Sequence, residues 1–252
     1  MGNTAGLGDC CAVGGSPSIE QPDYWWYPVR SELLQVAFAD RLGTVGRILD
    51  VGSADGPSVG WLSRHGSVVS LDLDPRGLHP PRGVCGSVLR LPFADGAFDL
   101  VTAFDVVEHC HPESVAVAEL SRVLRPGGRM LMSVPAYQWA WGDHDVANHH
   151  HRRSTRPRAV AALEAGGLHV ERATYAFAGV FPFFAVERLA HRVVRRLRPR
   201  VTGPADVVDV PDLPSPVERM LLGLSRLDRR LLRRHDLPFG SSVLVSAAKP
   251  AR

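Results

Sequence analysis

Residues 48–60, ILDVGSADGPSVG, place an acid and several small residues directly after a short apolar run. The run predicts a strand, and the residues after it predict a turn that leads into a helix and aims free backbone N–H groups at one point. Gly52, Ala54 and Gly56 would let a ligand approach the backbone closely. This pattern is typical of a nucleotide-binding turn, and an ordinary strand–helix connection is the alternative.

Two acids make the interpretation of this turn more specific. Asp72 ends the next predicted strand, about 20 residues downstream, where a carboxylate can accept hydrogen bonds from both ribose hydroxyls of a nucleoside. Asp50 lies at the end of the first predicted strand, where it would repel the pyrophosphate of a dinucleotide. The same acid would attract the cationic amino-acid part of S-adenosylmethionine. The pair therefore favours S-adenosylmethionine over NAD as the cofactor.

A second group of residues that could do chemistry follows the predicted fourth and fifth strands. His109, in Glu108-His109, is either a general base or a packing histidine. Residues 141–155, WGDHDVANHHHRRST, form a polar loop that is rich in histidine. This loop is either a lid over an acceptor or a solvated surface loop. Because no cysteine or regular ligand spacing accompanies the histidines, the sequence predicts no metal site.

Alternating strand and helix patterns must position these residues. The alternation predicts a mostly parallel sheet with helices on both faces, which is the doubly wound α/β class. The predicted strands are 47–52, 67–74, 83–88, 98–105, 129–135, 168–177 and 241–250, and the predicted helices are 31–42, 58–65, 112–124, 157–165, 184–198 and 217–235.

Composition limits the classes of protein to which the chain can belong. With 252 residues, 45% of them hydrophobic, the chain can bury one large core and carry an appendage. The net charge is +3, and a single lysine, Lys249, is present among many arginines. The cysteines, at 10, 11, 85 and 110, fit neither a zinc site nor a disulfide framework. Without a signal-peptide pattern or a membrane-length apolar run, the sequence predicts a cytoplasmic protein.

Five motifs in order carry a resemblance to a known family. They are DVGSADG, LDLD, LPFADGAFDLV, DVVEH and LSRVLRPGGRMLMSVP. Over about residues 24–178 the chain resembles class I S-adenosylmethionine-dependent methyltransferases of the bacterial UbiE/UbiG-like group. The resemblance implies a Rossmann-like sheet of seven strands with the last strand antiparallel, S-adenosylmethionine as the cofactor, and methyl transfer as the activity.

The resemblance also implies where the cofactor lies. The methionine end is surrounded by Asp50, Gly52, Ala54 and Gly56, the ribose is held by Asp72, the adenine is flanked by Leu73, Ser87 and Val88, and the sulfonium is bordered by Phe104 and Asp105. Ser87 stands where the family has an aspartate that contacts the adenine amino group. A serine there would accept a hydrogen bond without charge assistance.

The histidine-rich loop matches one branch of the same group. The match assigns His144 and Asp145 to a His-Asp pair, and His150, Arg152 and Arg153 to a His-x-Arg-Arg motif. We expect Asp145 to orient a histidine base and the arginines to hold an anionic acceptor. Residues 25–27, Trp-Trp-Tyr, also occur in this branch, where they either cover the cleft or pack against the core.

The C-terminal third predicts an appendage on this domain. We expect a disordered leader at 1–22, a cofactor-binding domain at 23–180 plus 239–252, and a helical insertion or lid at 181–238. The two amphipathic helices of the insertion carry many arginines, which favours a lid with peripheral membrane contact and disfavours a nucleic-acid partner. The expected acceptor is a small molecule or a lipid-linked precursor, with oxygen favoured as the methylated atom. The alternatives are a cofactor-binding scaffold that has lost catalysis and a membrane-attached module.

Overall fold

A computed structural model describes residues 24–53, 58–78, 81–197 and 214–251. Ala54, Gly56, the predicted leader and most of the loop predicted at 199–216 lie outside these residues. Within the described chain, the structure confirms the predicted fold class, a single mixed sheet with flanking helices.

Seven strands form the sheet in the order β3-β2-β1-β4-β5-β7-β6. The strands are β1 (Arg47–Val51), β2 (Ser67–Asp72), β3 (Gly83–Cys85), β4 (Phe98–Phe104), β5 (Leu124–Pro135), β6 (His169–Ala176) and β7 (Ser242–Ala248). β7 is antiparallel to both β5 and β6, as predicted, and the other pairs are parallel. The chain moves outward from β1 to β3 and then restarts on the other side of β1 with β4. Ligands of open sheets bind at such a switch point, beyond the carboxyl ends of the strands.

Seven α-helices of the described chain flank the sheet. They are α1 (Trp26–Leu42), α2 (Val59–Leu62), α3 (Glu113–Val123), α4 (Asp143–Ala147), α5 (Arg156–Ala165), α6 (Phe181–Leu197) and α7 (Ser215–Leu232). α1 packs against α7 and β7, whereas α3 packs against β5 and α5. Two short 3-10 turns, Val107–His109 and Gln138–Ala140, follow β4 and β5 and carry residues of the site.

Several predicted bounds differ from the structure; β3 ends at Cys85 and α6 begins at Phe181, for example. The helix predicted at 58–65 is a single turn, α2. The sequence predicts a break at Pro126-Gly127-Gly128, but β5 begins at Leu124 and continues through these residues. The strand starts this early because Leu124 already pairs with Phe98 at the start of β4. α1 begins at Trp26, five residues before the predicted start at 31, since the aromatic residues at its beginning pack inward.

The core is centred on β1 and β4, which are apolar along most of their length. Ile48, Leu49, Leu100 and Val101 are fully buried, as expected for central strands of a parallel sheet. Burying each of these side chains contributes about 1.5–3 kcal/mol relative to exposure. The two strands therefore fix the positions of the acidic residues at their carboxyl ends.

Lys249, the one lysine of the chain, closes the C-terminal end of α3. Its Nζ donates hydrogen bonds to the backbone carbonyls of Ser121 at 2.7 Å and Leu124 at 2.8 Å. These carbonyls have no partner within the helix, and a cation also interacts favourably with the helix dipole at this end. The residue after β7 is therefore tied back to the middle of the domain.

Candidate active site

Asp50 lies at the switch point of the sheet and is almost fully buried, with 1% of its surface exposed. Its Oδ1 accepts a 2.6 Å hydrogen bond from Thr102 Oγ1 on β4. Its Oδ2 and the buried Ser53 Oγ each lack a hydrogen bond of normal geometry within the described residues. Burial raises the pKa of Asp50 to about 6, although the hydroxyls of Thr102 and Ser53 lower it in part. A cationic ligand would satisfy this carboxylate, and the two unsatisfied oxygens therefore fit the sulfonium cofactor.

The turn after β1 requires glycine at position 52. Gly52 has a φ of 67°, in the left-handed region, and a Cβ there would overlap the side chain of Val106. The backbone N–H groups of Gly52 and Ser53 donate to Leu71 O at 2.8 and 3.3 Å. The start of the turn is therefore held against β2, and these two N–H groups are already used.

The residues predicted to contact the ribose and adenine lie at the carboxyl ends of β2 and β3. Asp72 is the last residue of β2, and its Oδ1 accepts a 2.9 Å hydrogen bond from the Asp74 backbone N–H. Leu73 is 39% exposed, so its side chain is accessible to an adenine ring. Val88 is buried. The hydroxyl oxygen of Ser87 accepts a hydrogen bond from the Leu89 N–H at 3.2 Å.

Asp105, directly after β4, is bound by an arginine that the sequence reasoning missed. Arg30 Nε donates to Asp105 Oδ2 at 2.7 Å, and Ser133 Oγ donates to Asp105 Oδ1 at 3.0 Å. Arg30 ends the stretch DYWWYPVR. The sequence prediction uses only the aromatic residues of this stretch, although the arginine lies beside them. The ring of Phe104 is buried against Phe38 and Trp61, so its side chain belongs to the core.

Asp145 on α4 is fully buried and holds three partners. It accepts hydrogen bonds of 2.8 Å from His150 Nδ1, from Arg153 Nε and from the Gly142 backbone N–H. Burial alone would raise the pKa of Asp145, but the His150 hydrogen bond and the Arg153 charge lower it to about 2. Because an ionised carboxylate only accepts hydrogen bonds, Nδ1 of His150 carries the proton and Nε2 is the basic nitrogen.

The two arginines do not form the expected anion clamp. Arg152 donates from one guanidinium nitrogen to the backbone carbonyls of Val107 at 3.0 Å and Cys110 at 2.6 Å. Arg153 binds Asp145 and the carbonyl of Ala136 and is 6% exposed. The structure uses these two arginines to fix backbone carbonyls and a buried carboxylate.

Glu108, His109 and His150 come together beyond the end of β4. Glu108 is 2% exposed, and both of its carboxyl oxygens lack a partner within the described residues. Burial, followed by the charge of Asp105, raises the pKa of Glu108 well above its ordinary value. The rings of His109 and His150 meet edge to face at 4.5 Å, and the rings of His144 and His150 lie 6.1 Å apart. His109 and His144 keep exposed edges, yet desolvation by the surrounding protein lowers the pKa of both.

An aromatic wall, which the sequence reasoning also missed, stands beside the histidine-rich loop. It consists of Tyr137, Trp139, Tyr175, Phe181 and Phe239. Tyr137 stacks on Tyr175 at 5.3 Å, and Phe181 contacts Tyr137 at 5.4 Å and Phe239 at 5.7 Å. Because these residues come from the segment after β5, from β6, from α6 and from the segment before β7, no local pattern reveals them. Such a wall offers an apolar surface to an acceptor.

Known proteins resemble this chain in sequence. Residues 49–132, which include Asp50, Asp72, Ser87, Asp105 and Glu108, match a family model described as a methyltransferase domain. These residues therefore form a methyltransferase domain of the predicted class I S-adenosylmethionine-dependent type. The prediction of S-adenosylmethionine as the cofactor is likewise confirmed.

Relatives of this methyltransferase differ in the acceptors that their names give. It is 29% identical over 174 residues to a probable S-adenosylmethionine-dependent methyltransferase of Mycolicibacterium smegmatis, covering 65% of this chain and 66% of the relative. It is 38% identical over 94 residues to a malonyl-acyl-carrier-protein O-methyltransferase of Herminiimonas arsenicoxydans, covering 34% and 36%. A demethylmenaquinone methyltransferase of Mycobacterium marinum is 34% identical over 121 residues, covering 46% and 49%. The chain thus spans about a third to two thirds of the length of these relatives.

Solved structures agree on the fold. A Burkholderia thailandensis 1,6-didemethyltoxoflavin-N1-methyltransferase with bound S-adenosylhomocysteine superposes with a TM-score of 0.54 at 16% identity, covering 93% of this chain and 84% of that chain. The [4+2]-cyclase SpnF superposes with a TM-score of 0.55 at 18% identity, covering 88% and 81%. The same fold therefore carries more than one kind of chemistry.

Proposed function

We propose that this methyltransferase transfers a methyl group from S-adenosylmethionine to a small-molecule acceptor, with a hydroxyl or other oxygen favoured as the nucleophile. One observation carries the proposal. His150, which the buried Asp145 orients, lies beside His109 and Glu108 just beyond β4. The carboxyl groups of Asp50 and Asp105 lie at the same end of β4. A proton acceptor and a cation site at the same edge of the sheet are what transfer to an oxygen needs.

The cofactor side is formed by residues at the ends of β1, β2 and β4. When bound, S-adenosylmethionine supplies a methyl carbon that is activated by positive sulfur. We propose that Asp50 and Asp105 face the cationic end and that Asp72 accepts hydrogen bonds from the ribose. We propose that the turn that begins at Gly52 receives the methionine part. Leu73, Ser87, Val88 and the backbone of Phe104 complete the proposed contacts.

On the acceptor side, the protein has to align the nucleophile and remove its proton. We propose that His109, His144 and His150 are the candidate bases and that Asp145 holds His150 in the required tautomer. Arg152 is proposed as a positioning residue, because it fixes the carbonyls on either side of Glu108-His109. The aromatic wall, with Tyr137 and Phe181 at its centre, would hold an apolar part of the acceptor against this group.

Helices α6 and α7 support a lid and an apolar or lipid-linked acceptor. Arg188 on α6 contacts Gly142 and lies 5.1 Å from the ring of Phe184, which also lies beneath Arg153 at 5.7 Å. We therefore propose residues 181–238 as a lid over the domain formed by 24–180 and 239–251. Large apolar side chains on the two helices remain exposed, namely Phe183, Val186, Leu189, Val193, Val217, Met220, Leu227 and Leu231.

The exposed apolar face, flanked by arginines, is the basis for proposing peripheral contact with an anionic membrane. Within the described part of the chain, every helix is too short or too polar to cross a bilayer. Flotation with vesicles that contain anionic lipid tests the contact, and we expect association at low salt that Val186→Asp together with Leu189→Asp removes. Flotation of this double variant equal to that of the parent protein would exclude α6 as the contact.

Methyl transfer itself is tested with labelled cofactor. The purified chain is incubated with S-adenosylmethionine that carries a labelled methyl group and with a panel of hydroxylated aromatic and carboxylic acid acceptors. We expect labelled product with at least one acceptor, a loss of roughly 10²–10⁴-fold in turnover for His150→Ala, and unchanged affinity of that variant for S-adenosylhomocysteine. Equal turnover in His150→Ala and the parent protein would exclude His150, and its partner Asp145, from the mechanism.

A second candidate is a cofactor-binding protein without methyl transfer. The structural similarity to a [4+2]-cyclase supports this second candidate, because that protein has the same fold and catalyses a different reaction. The labelled-cofactor experiment separates the two, since tight binding of S-adenosylhomocysteine without label transfer to any acceptor of the panel supports the second candidate.

A further inference from the structure

We propose that Glu108, His109 and His150 form a binding site for a divalent transition-metal ion of the Zn²⁺ type. One ligand atom from each residue can be chosen such that all three lie within 4.8 Å of one another. A tetrahedral zinc ion with bonds of about 2.0–2.1 Å holds its ligands about 3.4 Å apart. Small side-chain rotations would therefore close the three groups around an ion. Two histidines with one glutamate, and a fourth position left open, form a known type of catalytic zinc site.

Glu108 points to a ligand independently of this spacing. Its carboxyl group is nearly inaccessible, and neither oxygen has a hydrogen-bond partner within the described residues. A buried polar group without a partner costs on the order of 1–3 kcal/mol. Coordination of a cation removes this cost, because the ion takes the place of the missing donors.

The two histidines are oriented as metal ligands usually are. His150 donates from Nδ1 to Asp145 Oδ1 at 2.8 Å, which directs Nε2 to the cluster. The ring of His109 makes a hydrogen bond with the backbone of Asn148. Metal-bound histidines almost always donate their second ring N–H to a carboxylate or a backbone carbonyl, which fixes the tautomer and the ring orientation. Both rings therefore keep one basic nitrogen for an ion.

The backbone around the cluster is fixed from two sides. The His151 N–H donates to Glu108 O at 2.8 Å, so the histidine-rich loop is attached to the 3-10 turn that carries Glu108 and His109. Arg152 holds the carbonyls of Val107 and Cys110 at the two ends of the same turn. The three ligands thus come from two segments that are joined before any ion binds. The spacing of the histidines in the sequence gave no such indication, because Glu108 and His109 lie outside the histidine-rich loop.

The role of the ion rests on the proposed function, whereas its binding does not. The acceptor hydroxyl would occupy the open coordination position, where a cation lowers its pKa. The O–H bond then breaks and the proton passes to His144, whose ring lies next to that of His150. An oxygen lone pair forms the new bond to the methyl carbon, and the electrons of the C–S bond remain on sulfur. In this arrangement His109 and His150 hold the ion, and His144 serves as the base.

The experiment uses the full chain, freed of metal with a chelator and dialysed. Zn²⁺ binding is measured by calorimetry, and Co²⁺ binding by its visible absorption, which reports the coordination geometry. We expect one ion per chain, and at least a tenfold loss of affinity in each of Glu108→Gln, His109→Ala and His150→Ala. The matched controls His149→Ala and His169→Ala change exposed histidines outside the cluster, and we expect them to bind the ion as the parent protein does.

Two outcomes would overturn the site. The first is the absence of one-to-one binding by the parent protein. The second is undiminished affinity in both Glu108→Gln and His109→Ala, which would assign any bound ion to the surface histidines alone. Because His109 is exposed, its variant keeps the test valid if the buried Glu108→Gln fails to fold. S-adenosylhomocysteine affinity is measured on the same samples, and its absence in the parent protein would count against the proposed function and leave the metal result standing.

Discussion

The two halves of the candidate site are built in opposite ways. The cofactor half uses acids at the carboxyl ends of strands, such as Asp50 and Asp72, and the buried oxygens Asp50 Oδ2 and Ser53 Oγ are left unsatisfied within the described residues. The acceptor half uses a buried carboxylate, Asp145, that is fully satisfied by three donors. We infer that the first half is arranged to receive a charged ligand, whereas the second half is arranged to keep His150 in one orientation.

This difference predicts different responses to mutation. Changes to Asp145 and its partners should mainly lower stability and turnover, because these charged groups hold one another. Changes in the cofactor half should mainly lower ligand affinity, because Asp50 keeps a buried oxygen that a ligand can satisfy. Five predictions test this division, from the largest expected effect to the smallest.

Asp145→Asn should lower the free energy of unfolding by about 3–5 kcal/mol, because it leaves the buried guanidinium of Arg153 without its charged partner. Urea denaturation measures the change. The control is Asp40→Asn in α1, whose exposed carboxylate pairs with the neighbouring Arg41, and we expect a change of about 0.5 kcal/mol or less. A loss below about 1 kcal/mol in Asp145→Asn would mean that the pair is no stronger than one at the surface.

Asp72→Ala should weaken S-adenosylhomocysteine binding about 100-fold, since two charge-assisted hydrogen bonds to the ribose contribute about 1.5 kcal/mol each. Calorimetry measures the affinity. Asp95→Ala removes a carboxylate that is exposed and pairs with Arg122, so it should bind as the parent protein does. Equal affinity of the two variants would refute the ribose assignment.

Cofactor affinity should fall as the pH drops below about 6, by up to tenfold per pH unit. The pKa of Asp50 in the ligand-free protein is about 6, so below this pH the carboxyl must first lose a proton before it can face a cation. The sign for stability is opposite. Because the folded-state pKa is raised above the unfolded value, the buried charge destabilises the ligand-free protein above pH 6, and this cost is lost below the unfolded value.

Asp50→Asn separates these two effects of the carboxylate. We expect the variant to melt at a higher temperature than the ligand-free parent protein at pH 7.5, while its cofactor affinity is lower and no longer depends on pH near 6. A lower melting temperature in the ligand-free variant would show that Asp50 is held mainly for structure.

Gly52→Ala should lower the free energy of unfolding by about 1–2 kcal/mol, because the left-handed backbone and the side chain of Val106 both oppose a Cβ. Gly60→Ala is the matched control. Gly60 lies in α2 with open space around its Cα, so alanine there should stabilise the protein by about 0.5–1 kcal/mol. The reverse order of the two stabilities would show that the turn does not have the described geometry.

The fold and the cofactor half could be predicted because their signals are local. A strand, a small-residue turn and an acid at the end of the next strand are neighbours in sequence, so their spacing predicts Asp50, Gly52 and Asp72 as cofactor contacts. The family resemblance added the position of Asp105. The partner of Asp105 was missed, since Arg30 reaches it from a helix 75 residues away.

The acceptor half was predicted only in its residue types. The motif predicts roles for Asp145, His150 and Arg152, but it assigns the arginines to an anion because no sequence pattern shows which carbonyls a guanidinium will meet. The sequence favours His109 over Glu108 as a functional residue, whereas the burial and missing partners of Glu108 are evident only in the structure. Such facts arise from packing between distant segments, and they appear only once β4 and the histidine-rich loop are placed side by side.

The capped end of α3 has a practical consequence for chemical labelling. The chain has one lysine side chain, and its amine is held by backbone carbonyls of α3 and β5. Acylating reagents should therefore modify this side chain slowly while the domain is intact and rapidly once the C-terminal strand detaches. The rate of modification at Lys249, followed by mass spectrometry, gives a single-residue measure of how often the last strand opens.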